Sequence, residues 1–175
     1  MGKISHPATV SSEFNIDIAL IEKLGVVNVL LNTDTQLFID PMLLEESSHK
    51  EMREGASSSY KKRFNNIIKL LSLSKLEDDV PWRNAKRLFK FSEISWTCLG
   101  YGTSVRGSGF GKDLIASTLD TAAQIVSLGV DDVDLFMALA LFEEGIGPDR
   151  ISDMTTNIII NDLIDFSLNI NKTLK

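Results

Sequence analysis

Four carboxylates fall within an eleven-residue stretch: Glu143 and Glu144, then Asp149 and Asp153, separated by Gly145-Ile146-Gly147-Pro148. Hard divalent cations such as Mg²⁺ and Mn²⁺ take oxygen ligands, and one or two carboxylates suffice where substrate phosphates complete the shell. Pro148 predicts a helix start, because its fixed φ suits the first turn and its missing N–H is not needed there. Asp149 then stands at the positive end of the helix dipole, with Asp153 one turn later on the same face. The chemistry this spacing predicts is metal-assisted phosphodiester or pyrophosphate hydrolysis. Glu143, Glu144, Asp149 and Asp153 would be its ligands, and Asp149, Asp153 and Glu144 its catalytic carboxylates. The bland alternative is a helix–loop–helix corner whose acids serve only as caps.

Two cationic features could serve the same chemistry. The glycine-rich run Leu99–Lys112 leads directly into a helical pattern over Asp113–Val126. Free backbone N–H groups at that junction, with Arg106, Gly107, Gly109, Gly111 and Lys112, predict a cradle for a phosphate. It is not a P-loop, since Gly111-Lys112 is followed by Asp113, and without a preceding strand the dinucleotide fingerprint fails as well. A surface loop without a ligand is the competing expectation. Arg83, Lys86, Arg87 and Lys90 recur at three- and four-residue steps, so they form one basic stripe on a helix. Such a stripe can follow a nucleic-acid backbone, with Trp82 as a stacking platform; the competing reading is a solvated face over Leu88, Phe89 and Phe91. Cys98 and His49 are a nucleophile and a base only if the fold joins them, Ser104 and Ser108 lack any base, and His6 lies in the N-terminal tail.

The elements that must position these residues are mostly helical. Ile16–Leu24 reads as a short helix ended by Gly25. Ser57–Ser74 carries Tyr60, Phe64, Ile67, Ile68 and Leu71 on one face, and Asp79 caps a second helix with Pro81 in its first turn. Ile115, Leu119, Ala122 and Val126 form a helix face ending at Gly129. Asp132 opens a nearly all-apolar helix to Glu144, and a last helix runs from Pro148 to about Asn171. Its inward positions are Ile151, Met154, Ile158, Ile159, Leu163, Phe166 and Ile170, while Asp149, Asp153, Asn157 and Asn161 make a polar stripe. Val26–Leu31 and Gln36–Asp40 read as strands around the turn Asn32-Thr33-Asp34-Thr35, with Asp40 either capping the next turn or acting as a metal ligand. The expected fold is therefore α+β and mainly helical, with a small N-terminal β-hairpin or sheet packed on a helical core.

The chain has 175 residues, enough for one globular domain over 14–175 after a flexible tail over 1–13. No apolar run is long enough to span a membrane and no secretory signal is evident, which predicts a cytoplasmic protein with no membrane partner. A single Cys and two His exclude an intrachain disulfide and a zinc spacing. The net charge is −6, yet Lys50–Lys112 holds thirteen Lys or Arg against six Asp or Glu. That asymmetry means either an anion-binding middle or attraction between the two parts within the fold.

Leu37-Phe38-Ile39-Asp40-Pro41, the glycine-rich run through Gly111 and the stretch Gly145–Asp153 together resemble a pattern in uncharacterised bacterial proteins, some longer than this chain. The resemblance implies a bacterial cytoplasmic origin and the grouping of these three stretches. It also implies that the chain is the N-terminal part of something larger, whose missing C-terminal region would hold the rest of a site. It implies no activity. The residues themselves favour a metal-dependent phosphoryl hydrolase, a nuclease or nucleic-acid-processing module using Mg or Mn. The alternative is a non-catalytic module that recognises a protein or nucleic-acid partner through the basic helix and glycine loop. The two differ in one observable: carboxylates gathered around a point, or splayed apart.

Overall fold

The structure, a computed structural model, describes residues 7–92, 94–101, 112–135, 137 and 146–174. Its elements are α1 (Val10–Phe14), α2 (Ile18–Lys23), a 3-10 turn (Pro41–Glu46), a π-helical turn (Glu51–Ala56), α3 (Ser57–Leu73), α4 (Val80–Leu88), a 3-10 turn (Ser95–Thr97), α5 (Lys112–Ser127), α6 (Pro148–Ile158) and α7 (Ile160–Leu174). Residues 133–135 are helical too, with Asp132 accepting from the Asp134 N–H at 2.9 Å.

Helix α3 is the axis of the core. Tyr60, Phe64, Ile67, Ile68 and Leu71 are all buried, as their spacing predicts. Around α3 pack α4, α5, α6 and the π turn. They bring Trp82, Ala85 and Phe89 from α4, Ile115, Leu119 and Ala122 from α5, and Met154 and Ile158 from α6 into one cluster. The rings of Phe64 and Phe89 meet edge-on at 6.1 Å, an arrangement aromatic quadrupoles favour. Asp79 starts α4 by accepting from the Trp82 and Lys75 N–H groups, both at 2.9 Å. Gly25 and Gly129 both take positive φ, as helix-terminating residues do.

The expected β-hairpin is absent: no strand or sheet forms among the described residues. Residues 26–29 and 37–40 belong to no helix or strand, with bends at Leu31 and Gln36, and each run spends its backbone groups elsewhere. Leu31 donates to Ala8 and Val29 accepts from Val10 across an isolated antiparallel bridge between Thr9 and Leu30. The Leu30 N–H goes to the Thr35 side chain at 2.9 Å, and Thr35 pairs with residue 99 through a parallel bridge. Ile39 donates to Ser152 Oγ on α6 at 3.0 Å. A ladder needs two runs whose donors face each other, which β-branched content alone does not supply, and here a side chain closes the turn instead.

The expected single C-terminal helix is broken at Ile159, whose ψ of 17° leaves the helical range. Neither Pro nor Gly marks the break. The Thr155 and Thr156 hydroxyls donate to the carbonyls four residues earlier, at 2.7 and 2.8 Å, a competition that bends helices. After the break, α7 turns along the π turn, where Gly55 admits it: a Cβ there would lie 2.7 Å from Asp162 Oδ1.

Candidate functional site

Three features could carry function: the acidic face of α6, the basic face of α4, and an apolar surface built by residues 10–44 with α7.

Gly147 caps α6 with extended angles and Pro148 follows, so the helix begins where Pro148 predicts. Asp149 then reaches Gly100, whose φ is +141°. A Cβ on Gly100 would lie 2.6 Å from Asp149 Oδ1 and 3.1 Å from Asp34 Oδ2, so two carboxylates far apart in sequence close on one glycine. The Gly100 N–H donates to Thr35 O at 3.0 Å and the Thr35 N–H to Cys98 O at 2.8 Å, which fixes this loop beside residues 34–35. Lower on the same helix, Asn157 Oδ1 accepts from the Ser92 N–H at 3.1 Å while its Nδ2 donates to Ser92 O at 2.5 Å. The polar stripe of α6 is therefore a docking strip for the segments around 34–39 and 92–100.

Glu143 and Glu144 lie outside the described residues. Asp153, half-buried, occupies the turn between Asp149 and Asn157, and the carboxylate that meets Asp149 is Asp34, which sequence reasoning assigned only to a turn. No three His, Cys, Asp or Glu side chains among the described residues gather closely enough to hold a metal ion. Asp40 caps the following turn, accepting from the Met42 N–H at 2.9 Å, as the simpler reading has it. Cys98 and His49 have separate partners: His49 Nε2 lies 3.3 Å from Gly25 O with its ring edge-on to Phe166, while Cys98 Sγ lies 3.9 Å from Trp96 O. Burial, aided by the Asp34 carboxylate, pushes the Cys98 thiol up, opposite to what a nucleophile needs.

Of the cationic features, Arg106, Gly107, Gly109 and Gly111 lie outside the described residues, as do Ser104, Ser108 and His6; Lys112 is the first residue of α5. Arg83, Lys86, Arg87 and Lys90 are all exposed, and among the described residues none has a carboxylate within 4.0 Å. Arg83 instead donates to the Asp78 carbonyl. Trp82, however, is buried against the core and offers no stacking platform. Among the described residues, the one cation of the 50–112 segment with a carboxylate of the acidic remainder within 4.0 Å is Lys61, 2.8 Å from Glu45 and 3.9 Å from Asp134; its hydrogen bond lowers the Glu45 pKa and raises its own. Attraction within the fold thus consumes little of the charge asymmetry among the described residues.

The third feature was not singled out from the sequence. Helix α7 has an apolar face, yet none of its residues is fully buried. Phe166, Ile170 and Leu174 line a groove of about 610 Å³ opposite Val10, Phe14, Ile21 and Leu24. Leu163 and Phe166 line a second, of about 560 Å³, with Leu37, Phe38, Leu43, Trp96 and Leu99. Val26, Val27, Val29, Phe166 and Ser167 border both, so the grooves lie on either side of one shared wall. Phe14 is 65% exposed, Trp96 57% and Val27 52%. The sequence did hold one signal: Val26–Leu31 is apolar at nearly every position, so both faces of that run need cover.

No described helix is long and apolar enough to cross a membrane. A family described as Domain of unknown function (DUF8370) matches residues 15–175, and the chain belongs to it. No curated protein and no solved structure matches the chain.

Proposed function

We propose that this member of the family is a non-catalytic recognition module that holds a segment of a protein partner against its N-terminal surface. The observation that carries the reading is the apolar face of α7, which the described residues leave uncovered and which with Val26, Val27 and Val29 forms two adjoining grooves. Large contiguous apolar surface is unfavourable to leave in water and marks interaction sites. Grooves of this kind take the apolar face of an incoming segment, with aromatic anchors such as Trp96 and Phe14 at their margins. The α6 stripe supports the same reading, because Asn157 and Ser152 are occupied in holding the fold together.

The experiment is a fluorescence titration of the chain with designed amphipathic peptides, using exposed Trp96 as reporter over the constant background of buried Trp82. Binding in the micromolar range, weakened tenfold or more by Val27→Glu, is the expected result. Peptides of every charge leaving the emission unchanged would reject the reading.

A second reading, metal-assisted phosphoryl hydrolysis with Mg²⁺ or Mn²⁺, is favoured by one observation, the approach of Asp34 and Asp149 at Gly100. Two carboxylates that close become a ligand pair when a divalent cation offsets their repulsion. Calorimetric titration with Mn²⁺, beside the Asp34→Asn/Asp149→Asn double variant, separates the two functions. Heat lost in the variant would move the assignment to the metal site; no heat from either protein would remove it.

A further inference from the structure

The chemistry of the partner can be read from the charges around the grooves, and this step rests on the recognition reading above. Glu13, Asp17, Glu22 and Asp165 adjoin the lining residues Phe14, Ile16, Ile21 and Phe166 in sequence, and Asp40 lines the second groove itself. All five are exposed, and none has a cation within 4.0 Å among the described residues. In the corresponding positions next to a lining residue the cations are Lys23, Arg53, Lys172 and Lys175, and the five acids above together with Glu45, Glu51 and Asp162 outnumber them. An apolar cleft with an anionic margin rejects an acidic segment through like-charge repulsion and draws a cationic one from a distance.

We infer that the occupant is an apolar segment flanked by Lys or Arg, carried by another protein. A second copy of this chain is the natural competitor, since its α4 carries three exposed cations with Lys90 just beyond its end, and Val80 beside them is 61% exposed. Docking α4 into the grooves would join unlike surfaces head to tail, which extends into open chains rather than closing into a dimer. The basic segment of a different protein meets the same charge demand with no such consequence.

Three peptides of equal length and Leu placement, with Lys, Glu or Ser at the remaining positions, test the inference. The Lys peptide should bind at least tenfold more tightly than the Glu peptide at low ionic strength. That ratio should shrink towards unity near 1 M salt, where the Debye length is about 3 Å. The triple variant Glu13→Gln/Glu22→Gln/Asp165→Asn changes exposed side chains that cap no helix, and it should remove the preference while the Ser peptide still binds. Equal affinity for all three peptides would overturn the inference and leave the recognition reading intact, whereas no binding by any would remove both. Sedimentation of the chain alone gives the last outcome: concentration-dependent open assembly, abolished by Arg83→Glu/Arg87→Glu, would assign the grooves to a second copy and overturn the partner named here.

Discussion

The two halves of the molecule treat apolar residues differently. Around α3 the apolar faces of α4, α5 and α6 close on one another, and Tyr60, Phe64, Leu119 and Met154 are fully sealed. Around α7 and the run at 26–31, side chains of the same types line open grooves. Helix α7 is more apolar in sequence than α3, α4 or α6, so hydrophobicity alone does not distinguish core from surface. The distinction is whether a facing element exists. Helix α3 packs against α4, α5, α6 and the π turn, whereas α7 packs against the π turn and faces α1, α2 and residues 26–29 across an open groove.

The comparison is broken most directly by truncating one aromatic in each half. Phe64→Ala removes a ring packed between Tyr60 and Phe89, and such deletions in closed cores cost about 3–5 kcal/mol. Trp96→Ala removes a larger but mostly exposed ring and should change stability by no more than about 0.5 kcal/mol. Urea unfolding of the two variants beside the parent checks both. A loss at Trp96 approaching that at Phe64 would mean the grooves are part of the core and not a surface awaiting a partner.

The core half was legible in the sequence because helical spacing, Asp79 as a cap, and Gly25 and Gly129 as stops all act within a few residues of one another. The other half was not, for reasons that can be located. Whether Val26–Leu31 and Gln36–Asp40 pair depends on where Ala8, Val10 and Ser152 bring their hydrogen-bonding groups, and no local pattern specifies that. The break at Ile159 depends on two Thr hydroxyls choosing backbone acceptors. Of the proposed metal ligands, Asp149 comes to Gly100, where the other carboxylate is that of Asp34, more than a hundred residues earlier in a turn. Leu163, Phe166 and Ile170 were assigned inward from periodicity, which gives the face of a helix but not whether anything covers it.

A smaller effect sharpens the account of the α6 stripe. Asn157→Ala deletes both hydrogen bonds to the Ser92 backbone and should cost about 1 kcal/mol, since Ser92 is exposed and its freed groups turn to water. Asn157→Asp keeps the acceptor for the Ser92 N–H but sets a carboxylate oxygen against the Ser92 carbonyl, so it should recover little. Equal stability of parent and both variants would show that the stripe is solvated and free for other work.

Next in size is the cap of α4. Hydrogen bonds from the Trp82 and Lys75 N–H groups lead the causes that hold the Asp79 carboxyl below its ordinary value near 3.8. A depressed folded pKa gives stability that is complete above the unfolded pKa and disappears as pH falls through the folded one. The urea midpoint of Asp79→Ala should therefore lie below the parent's at neutral pH, and the gap should close only on acidification below the ordinary carboxylate range. A gap that persists unchanged into strong acid would assign the loss to something other than the ionised cap.

The smallest effect comes from the centre of the sealed half. Tyr60 is wholly buried, and among the described residues its hydroxyl lies within hydrogen-bond distance of no partner, although the Thr155 hydroxyl, which donates to Ile151 O at 2.7 Å, is near it. Burial also pushes the Tyr60 pKa well above its ordinary value, so the group remains neutral. Removing an unsatisfied buried hydroxyl while keeping the ring relieves a desolvation penalty of about 1–3 kcal/mol, against a small loss of packing. Tyr60→Phe should leave the melting temperature unchanged or raise it, which no other buried aromatic truncation here is expected to do. A clear fall in melting temperature would mean that the hydroxyl has a partner in solution. The core would then contain a polar contact, and its closure around α3 would depend on more than apolar fit.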